Sequence, residues 1–250
     1  MTGQIDDLSG RIEAAVVGAL AGEAAAGTAA GAADLLGVAE SAAACGGYVE
    51  ADLRQRGLER PSRSGTAGLL LRALPFGMIT PLQRPRLRRD AYRCVALAGA
   101  DEGTAVAAVA TALLVADLMR FDLDTALIRV RQSLLEDAPM TLLDRLHVSA
   151  PIDTQPAHES DAGAVLQAAI TALATAHTVE GVVAARAGGP AVALTLAGSL
   201  AGVHHGRTAV AGIQADTLPH GDRALQIAHR LAEQAERLMS PAEASAPSQG

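Results

Sequence analysis

The sequence predicts an all-α protein, and three observations carry that expectation. Half of its 250 residues are hydrophobic yet only 2% are aromatic, so the core is filled by Ala, Leu and Val, which suit closely packed helices. The apolar residues recur at helical spacing along the chain. No stretch offers the alternating β-branched and aromatic residues of a half-buried strand. The length suits one large domain, expected over residues 1–239 as a compact multi-helix bundle, with a disordered tail at 240–250.

The first helix is predicted from Ser9, its capping residue, to Ala26, with Gly18 and Gly22 one turn apart where another helix can approach closely. A second runs from Gly31 to Cys45 and stops at the Gly46-Gly47 pair. Glu50 to Gly65 reads as a short helix and then a loop broken at Pro61, and order returns at Leu69. Arg84, Arg86, Arg88 and Arg89 follow Pro81 and flank Pro85, so they read as an exposed loop leading into a helix from Asp90; a small anion site is the alternative. An apolar helix follows from about Glu102 to Met119, and Asp122 and Asp124 begin another, with Arg129 and Arg131 towards its C-terminal half. Ser149 to Ser160 is a surface loop. The pattern resumes from Asp161 to His177, and Thr178 caps a short helix ending near Gly188-Gly189. A buried helix runs from Pro190 to His204, and an amphipathic one closes the chain from Asp222 to Met239.

Composition narrows the chemistry. The chain has neither Lys nor Asn, which removes Schiff-base catalysis and the phosphate-binding lysine of P-loop proteins. A net charge of -7 argues against a nucleic-acid partner, and the longest apolar run, Ala187 to Val203, contains Pro190 and is short for a membrane span. Cys45 and Cys94 fit no zinc or disulfide pattern, and Asp6, Asp7 and Glu13 stand where a secretory signal would be basic; both point to a cytoplasmic protein without a membrane partner. No metal and no cofactor are expected, and oligomeric state is left open.

Four stretches together resemble a known protein family. Val17 to Gly27 is similar to its opening helix, with Glu23 where the family has Asp. Val38-Ala39-Glu40-Ser41, with Gly46-Gly47-Tyr48 and Leu53, is similar to the helix after its Thr-Asp-Asp-Thr motif, which places Ala29-Ala30-Gly31-Ala32 on that motif. Gly68 to Gly77 resembles its Asn-Gly-x-x-Met-Arg-x-x-Pro-Leu-Gly stretch, retaining Arg72 and Pro75 while Ala67 replaces Asn. Gly188-Gly189-Pro190-Ala191 through Gly206 resembles its Gly-Gly-Asp-Thr-Asp-Thr helix, and here too the Asp positions are lost. These stretches mark a resemblance to the ADP-ribosylglycohydrolase family, which implies an orthogonal bundle of helices. It also implies that the two magnesium ions the family holds between those motifs have lost their ligands, since Ala, Gly and Pro side chains supply no oxygen. Rescue would fall to Asp34 or Asp101.

The resemblance places Glu23 at the end of a buried helix facing that pocket, where a partly desolvated carboxylate is a candidate general acid or base; otherwise it meets solvent or an Arg. Arg72 is its expected partner and a candidate substrate-binding residue with Asp34, or else part of an internal salt bridge. His204 and His205 are candidate bases at a helix end, or simply partners of the helix dipole; adjacent on a helix, they diverge by about 100 degrees and are not expected to face one pocket together. His177 is expected in a turn away from the pocket. Ser199 lacks the spacing of a nucleophile elbow and reads as a small residue at a helix crossing. The function expected is acid/base catalysis without a metal (elimination, conjugate addition or cyclisation) on a small apolar metabolite, as in specialised biosynthesis. The alternatives are a pseudoenzyme binding ADP-ribose or a protein, and residual ADP-ribosyl hydrolysis.

Overall fold

The computed structural model describes residues 7–28, 30–147, 160–185 and 190–240, and among these it contains twelve α-helices and no strand. The expected tail beyond 240, most of the loop at 149–160 and the helix end near Gly188-Gly189 lie outside the described residues.

Helix α1 (Leu8–Ala26) and helix α11 (Ala191–His205) form the closest pair in the molecule. Both are apolar on almost every side, which is why both are buried rather than lying on the surface. They run antiparallel through small residues: a Cβ added to Gly18 would lie 2.2 Å from the Gly198 carbonyl oxygen, and one added to Gly202 would lie 2.1 Å from that of Ala14. The backbones touch there, so no side chain fits between them. Buried Ser199 sits beside this crossing, as its size suggests. The start of α1 differs from expectation. Asp7, not Ser9, is the cap, its carboxylate accepting from Gly10 N at 3.1 Å.

Helix α2 (Gly31–Cys45) has the predicted bounds and ends at Gly46 with φ 75°, a conformation glycine adopts without strain. After short α3 (Glu50–Gln55) comes α4 (Leu69–Ile79), every residue of which is buried despite Pro75 inside it. Helix α5 begins at Arg84 and runs to Leu97, six residues earlier at its start than expected. Pro85 sits in its first turn, where a missing N–H costs nothing, so the arginine run is helical and not a loop. These arginines are also paired: Arg86 and Arg89 with Asp90, Arg88 with Asp137, and Arg84 with Asp117.

Helix α6 (Glu102–Leu118) is the central rod, buried from Thr104 to its end and capped by Asp101. Around it lie α4, α5, α7 (Leu123–Leu134) and α9 (Ala162–Thr175), with α8 (Met140–Arg145) against α9. Helix α10 (Val179–Ala185) starts at Thr178, whose hydroxyl accepts from Gly181 N at 3.2 Å. Amphipathic α12 (Gly221–Met239) covers α1 and α2, and one hydrophobic core draws on residues from α1 through α12.

Candidate functional site

Helix α2 starts without a side-chain cap of its own, because Ala30 precedes Gly31. Its first amides are met from the preceding helix. Glu23, in the last turn of α1 and only 4% exposed, accepts from Gly31 N at 2.5 Å and from Ala32 N at 3.0 Å to each carboxylate oxygen. A Cβ on residue 31 would lie 3.2 Å from Glu23 Oε1 and 2.8 Å from Leu71 Cδ1, so glycine leaves room for the carboxylate. The charge sits on the positive end of the α2 dipole and bonds donors that would otherwise be orphaned.

One turn into α2, Asp34 meets Arg72 of α4. Arg72 donates to Asp34 Oδ1 through Nη2 at 2.8 Å and Nε at 3.2 Å, and through Nη1 to the carbonyls of Leu58 at 2.5 Å and Arg60 at 3.0 Å. Ser62 Oγ donates to the other Asp34 oxygen at 2.5 Å and accepts from Ser64 N at 3.1 Å. Arg72 is 2% exposed and Asp34 7%, which makes this a buried, hydrogen-bonded ion pair. The expected pairing of Arg72 with Glu23 is therefore corrected: Arg72 belongs to Asp34, because Glu23 is turned to the α2 amides. Cys94 lies near the pair, and burial pushes its thiol up to about 12, which leaves it unreactive. Ser62 and Ser64 carry no sequence signal for this role; they stand in a loop whose path depends on where α2 and α4 pack.

His204 and His205 lie elsewhere. Arg11, near the start of α1, donates to the carbonyls of Val203 and His204 at 2.7 Å each, which fixes the C-terminal end of α11 beside the beginning of α1. From Arg11 to Glu23 the helix climbs roughly 18 Å at 1.5 Å per residue. The histidines and Glu23 thus occupy opposite ends of the α1–α11 pair and do not form one catalytic set. The two rings are in contact, with centroids 4.3 Å apart, contrary to the expectation that they diverge. His177, expected in an outlying turn, packs edge-on against His205 at 5.0 Å.

Burial lowers the basicity of both imidazoles, and His205 is pushed down to about 4 by burial first and then by His204, His177 and Arg11. For His204 a hydrogen bond with the Leu118 backbone and the charge of Asp122 act in the opposite direction. Because folded His205 binds a proton less readily than an unfolded histidine, the stability it contributes is complete above the unfolded pKa near 6.5 and is lost as pH falls towards 4. Urea unfolding near pH 7.5 and near pH 4.5 should show a loss of about 1–2 kcal/mol traceable to this ring, after discounting for solvent at a half-buried group. His205→Gln is expected to flatten that part of the profile, and an unaltered profile would contradict the assignment.

The residues present do not fit a dinuclear magnesium centre. Ala30, Gly31 and Ala32 supply no side-chain oxygen, the Glu23 carboxylate faces amide donors, and Asp34 faces a guanidinium and a hydroxyl. Asp101, the other candidate for rescue, is the N-cap of α6; its hydrogen bond from Thr104 N, at 2.7 Å, holds its carboxyl below the usual range. Among the described residues no group of three or more His, Cys, Asp or Glu side chains is placed to hold a metal ion.

An all-helical bundle with a carboxylate cluster where its first, second and fourth helices meet is the class that fold and site define. The family model for ADP-ribosylglycohydrolase matches residues 27–240, and the chain belongs to that family. A solved ADP-ribosylglycohydrolase-related protein complex shares the fold, with a TM-score of 0.71 at 18% identity, covering 90% of this chain and 99% of that one. Comparison with curated proteins yields no match. No helix among the described residues is long and apolar enough to cross a membrane.

Proposed function

We propose that this chain is a pseudoenzyme of the ADP-ribosylglycohydrolase family, one that binds without turning over and has lost magnesium-dependent hydrolysis. One observation carries the reading: the two acidic side chains at the start of α2 are committed internally, Glu23 to the amides of α2 and Asp34 to Arg72 and Ser62. A metal ligand or general base needs a lone pair facing the substrate, and these carboxylates spend theirs on the fold. The net charge of -7 supports a small-molecule or protein partner over nucleic acid.

The test is thermal unfolding with ADP-ribose at low and saturating magnesium, together with an assay for ADP-ribose release from an ADP-ribosylated substrate. Magnesium is expected to leave the unfolding temperature unchanged and to elicit no release. A magnesium-dependent shift with turnover would restore the protein to the hydrolases. A shift with ADP-ribose alone would name the ancestral nucleotide as the retained ligand.

A second reading, acid/base catalysis on a small apolar metabolite, is favoured by one feature: the buried ring nitrogens His204 Nδ1 and His205 Nε2 have no hydrogen-bond partner. Catalysis at that end of the molecule would be lost in His205→Gln and kept in Glu23→Gln. The reverse pattern would move the chemistry back to the α1–α2 junction.

A further inference from the structure

Asp117, in the last turn of α6 and 2% exposed, is shared by two arginines. Arg84 Nη1 reaches its two oxygens at 2.7 and 2.8 Å, and Arg129 Nε reaches Oδ1 at 3.2 Å. One carboxylate under two guanidiniums leaves one positive charge uncompensated. Arg84 is held further by Ser133 Oγ at 2.6 Å and the Arg129 carbonyl at 3.3 Å. Arg129 is held by Phe121, whose ring centroid lies 4.5 Å from its guanidinium carbon. Its two terminal amino groups have no hydrogen-bond partner among the described residues, and neither does the Gln132 amide.

Arg84, Arg129, Gln132 and Ser133 line a cavity of about 170 Å³ above this pair. Arg129, Gln132 and Ser133 share the solvent side of α7, and α5 begins with Arg84, so two helices bring the donors together. The lining contains no carboxylate, because Asp117 lies beneath with both oxygens engaged. Arg88 adds no free charge: it bonds the Ser133 carbonyl at 2.7 Å and pairs with Asp137.

The geometry points to a binding site for a small tetrahedral oxyanion of the phosphate class, either inorganic phosphate or the phosphate of a monoester. Guanidinium, amide and hydroxyl groups on two helices line one cavity, which offers more donors than the two oxygens of a carboxylate engage and suits an acceptor with three or four oxygens. The cavity holds the phosphate group and leaves an organic body outside. It is separate from the cluster formed by Glu23, Asp34 and Arg72, and it does not depend on the function proposed for that cluster.

The test is calorimetric titration of the full chain with inorganic phosphate and, separately, glycerol 3-phosphate, in low-chloride buffer. Phosphate is expected to bind with a dissociation constant below about 10 mM and to weaken as salt rises. Gln132→Glu, at an exposed position whose side chain takes no part in the hydrogen bonds to Asp117, should weaken binding by about tenfold or more without lowering the unfolding temperature in phosphate-free buffer. Tighter binding of the monoester would assign an organic phosphate, and equal or tighter binding of inorganic phosphate would assign the free ion. Absence of binding to the unmodified chain would overturn the proposal, as would unchanged affinity in Gln132→Glu.

Discussion

Arg72→Met is expected to destabilise the protein by about 3–5 kcal/mol, because it strands the Asp34 carboxylate, only 7% exposed, without its guanidinium. It also leaves the Leu58 and Arg60 carbonyls without the donors they receive at 2.5 and 3.0 Å. For a chain of this size the unfolding temperature should fall by about 10 °C, read by circular dichroism. Combining Arg72→Met with Asp34→Leu should recover much of the loss, since the doubly apolar pair removes the unpaired charge. A single variant as stable as the parent would show that the pair is not buried in solution. The same experiment bears on function. If the retained arginine serves structure, its loss changes stability; if it serves a ligand, its loss changes binding at constant stability.

Gly198→Ala should be comparably damaging for a different reason. The added methyl would lie 2.1 Å from the Gly18 carbonyl oxygen and 2.9 Å from its carbonyl carbon, both backbone atoms that cannot rotate away. Helices α1 and α11 must separate along their whole contact, and the cost is placed at about 3 kcal/mol, the upper end for overpacking. Gly103→Ala is the control, because its new Cβ meets nothing closer than Asp101 Oδ1 at 3.6 Å and sits in a helix that favours Ala. That variant should match or slightly exceed the parent, within about 1 kcal/mol. Equal losses in both would mean that helix packing at the α1–α11 crossing is not what Gly198 provides.

Legibility in the sequence followed the range of the interaction. Helix α2 is bounded by residues within a few positions of its ends, and its predicted span, Gly31 to Cys45, is the observed one. Asp161 and Thr178 act as caps three residues from the amides they serve, so they too could be read locally. The start of α5 is hidden by Pro81 and Pro85, which together resemble a broken loop although Pro85 is compatible with a first turn. The Asp7 cap requires a left-handed φ of 51° that no periodic pattern announces.

Of the residues singled out with the family resemblance, Glu23 and Asp34 stand at the start of α2 and Arg72 reaches Asp34 from α4, whereas His204 and His205 stand at the other end of the α1–α11 pair; which carboxylate takes Arg72 was not legible. Glu23 and Arg72 bear opposite charges, and a direct pair was the simplest expectation. Asp34 decided otherwise by standing within 2.8 Å of Arg72, which left Glu23 to the α2 amides. His177 gave no sign of meeting His205, since 28 positions separate them and only the packing of α9 and α10 against α11 brings the rings together.

By itself, then, the sequence determined an all-helical chain and the places where most of its helices begin and end, because each is a property of residue type and short-range spacing. Tertiary structure alone decided that the remaining carboxylates are bound by amides and a guanidinium, that the histidines stand about 18 Å of helix away from Glu23, and that Asp117 gathers two arginines into one pocket. Those outcomes depend on which helix faces meet, and burial makes the choice of partner steep: a charge that misses its partner inside the bundle costs several kcal/mol, whereas the same miss on the surface costs almost nothing.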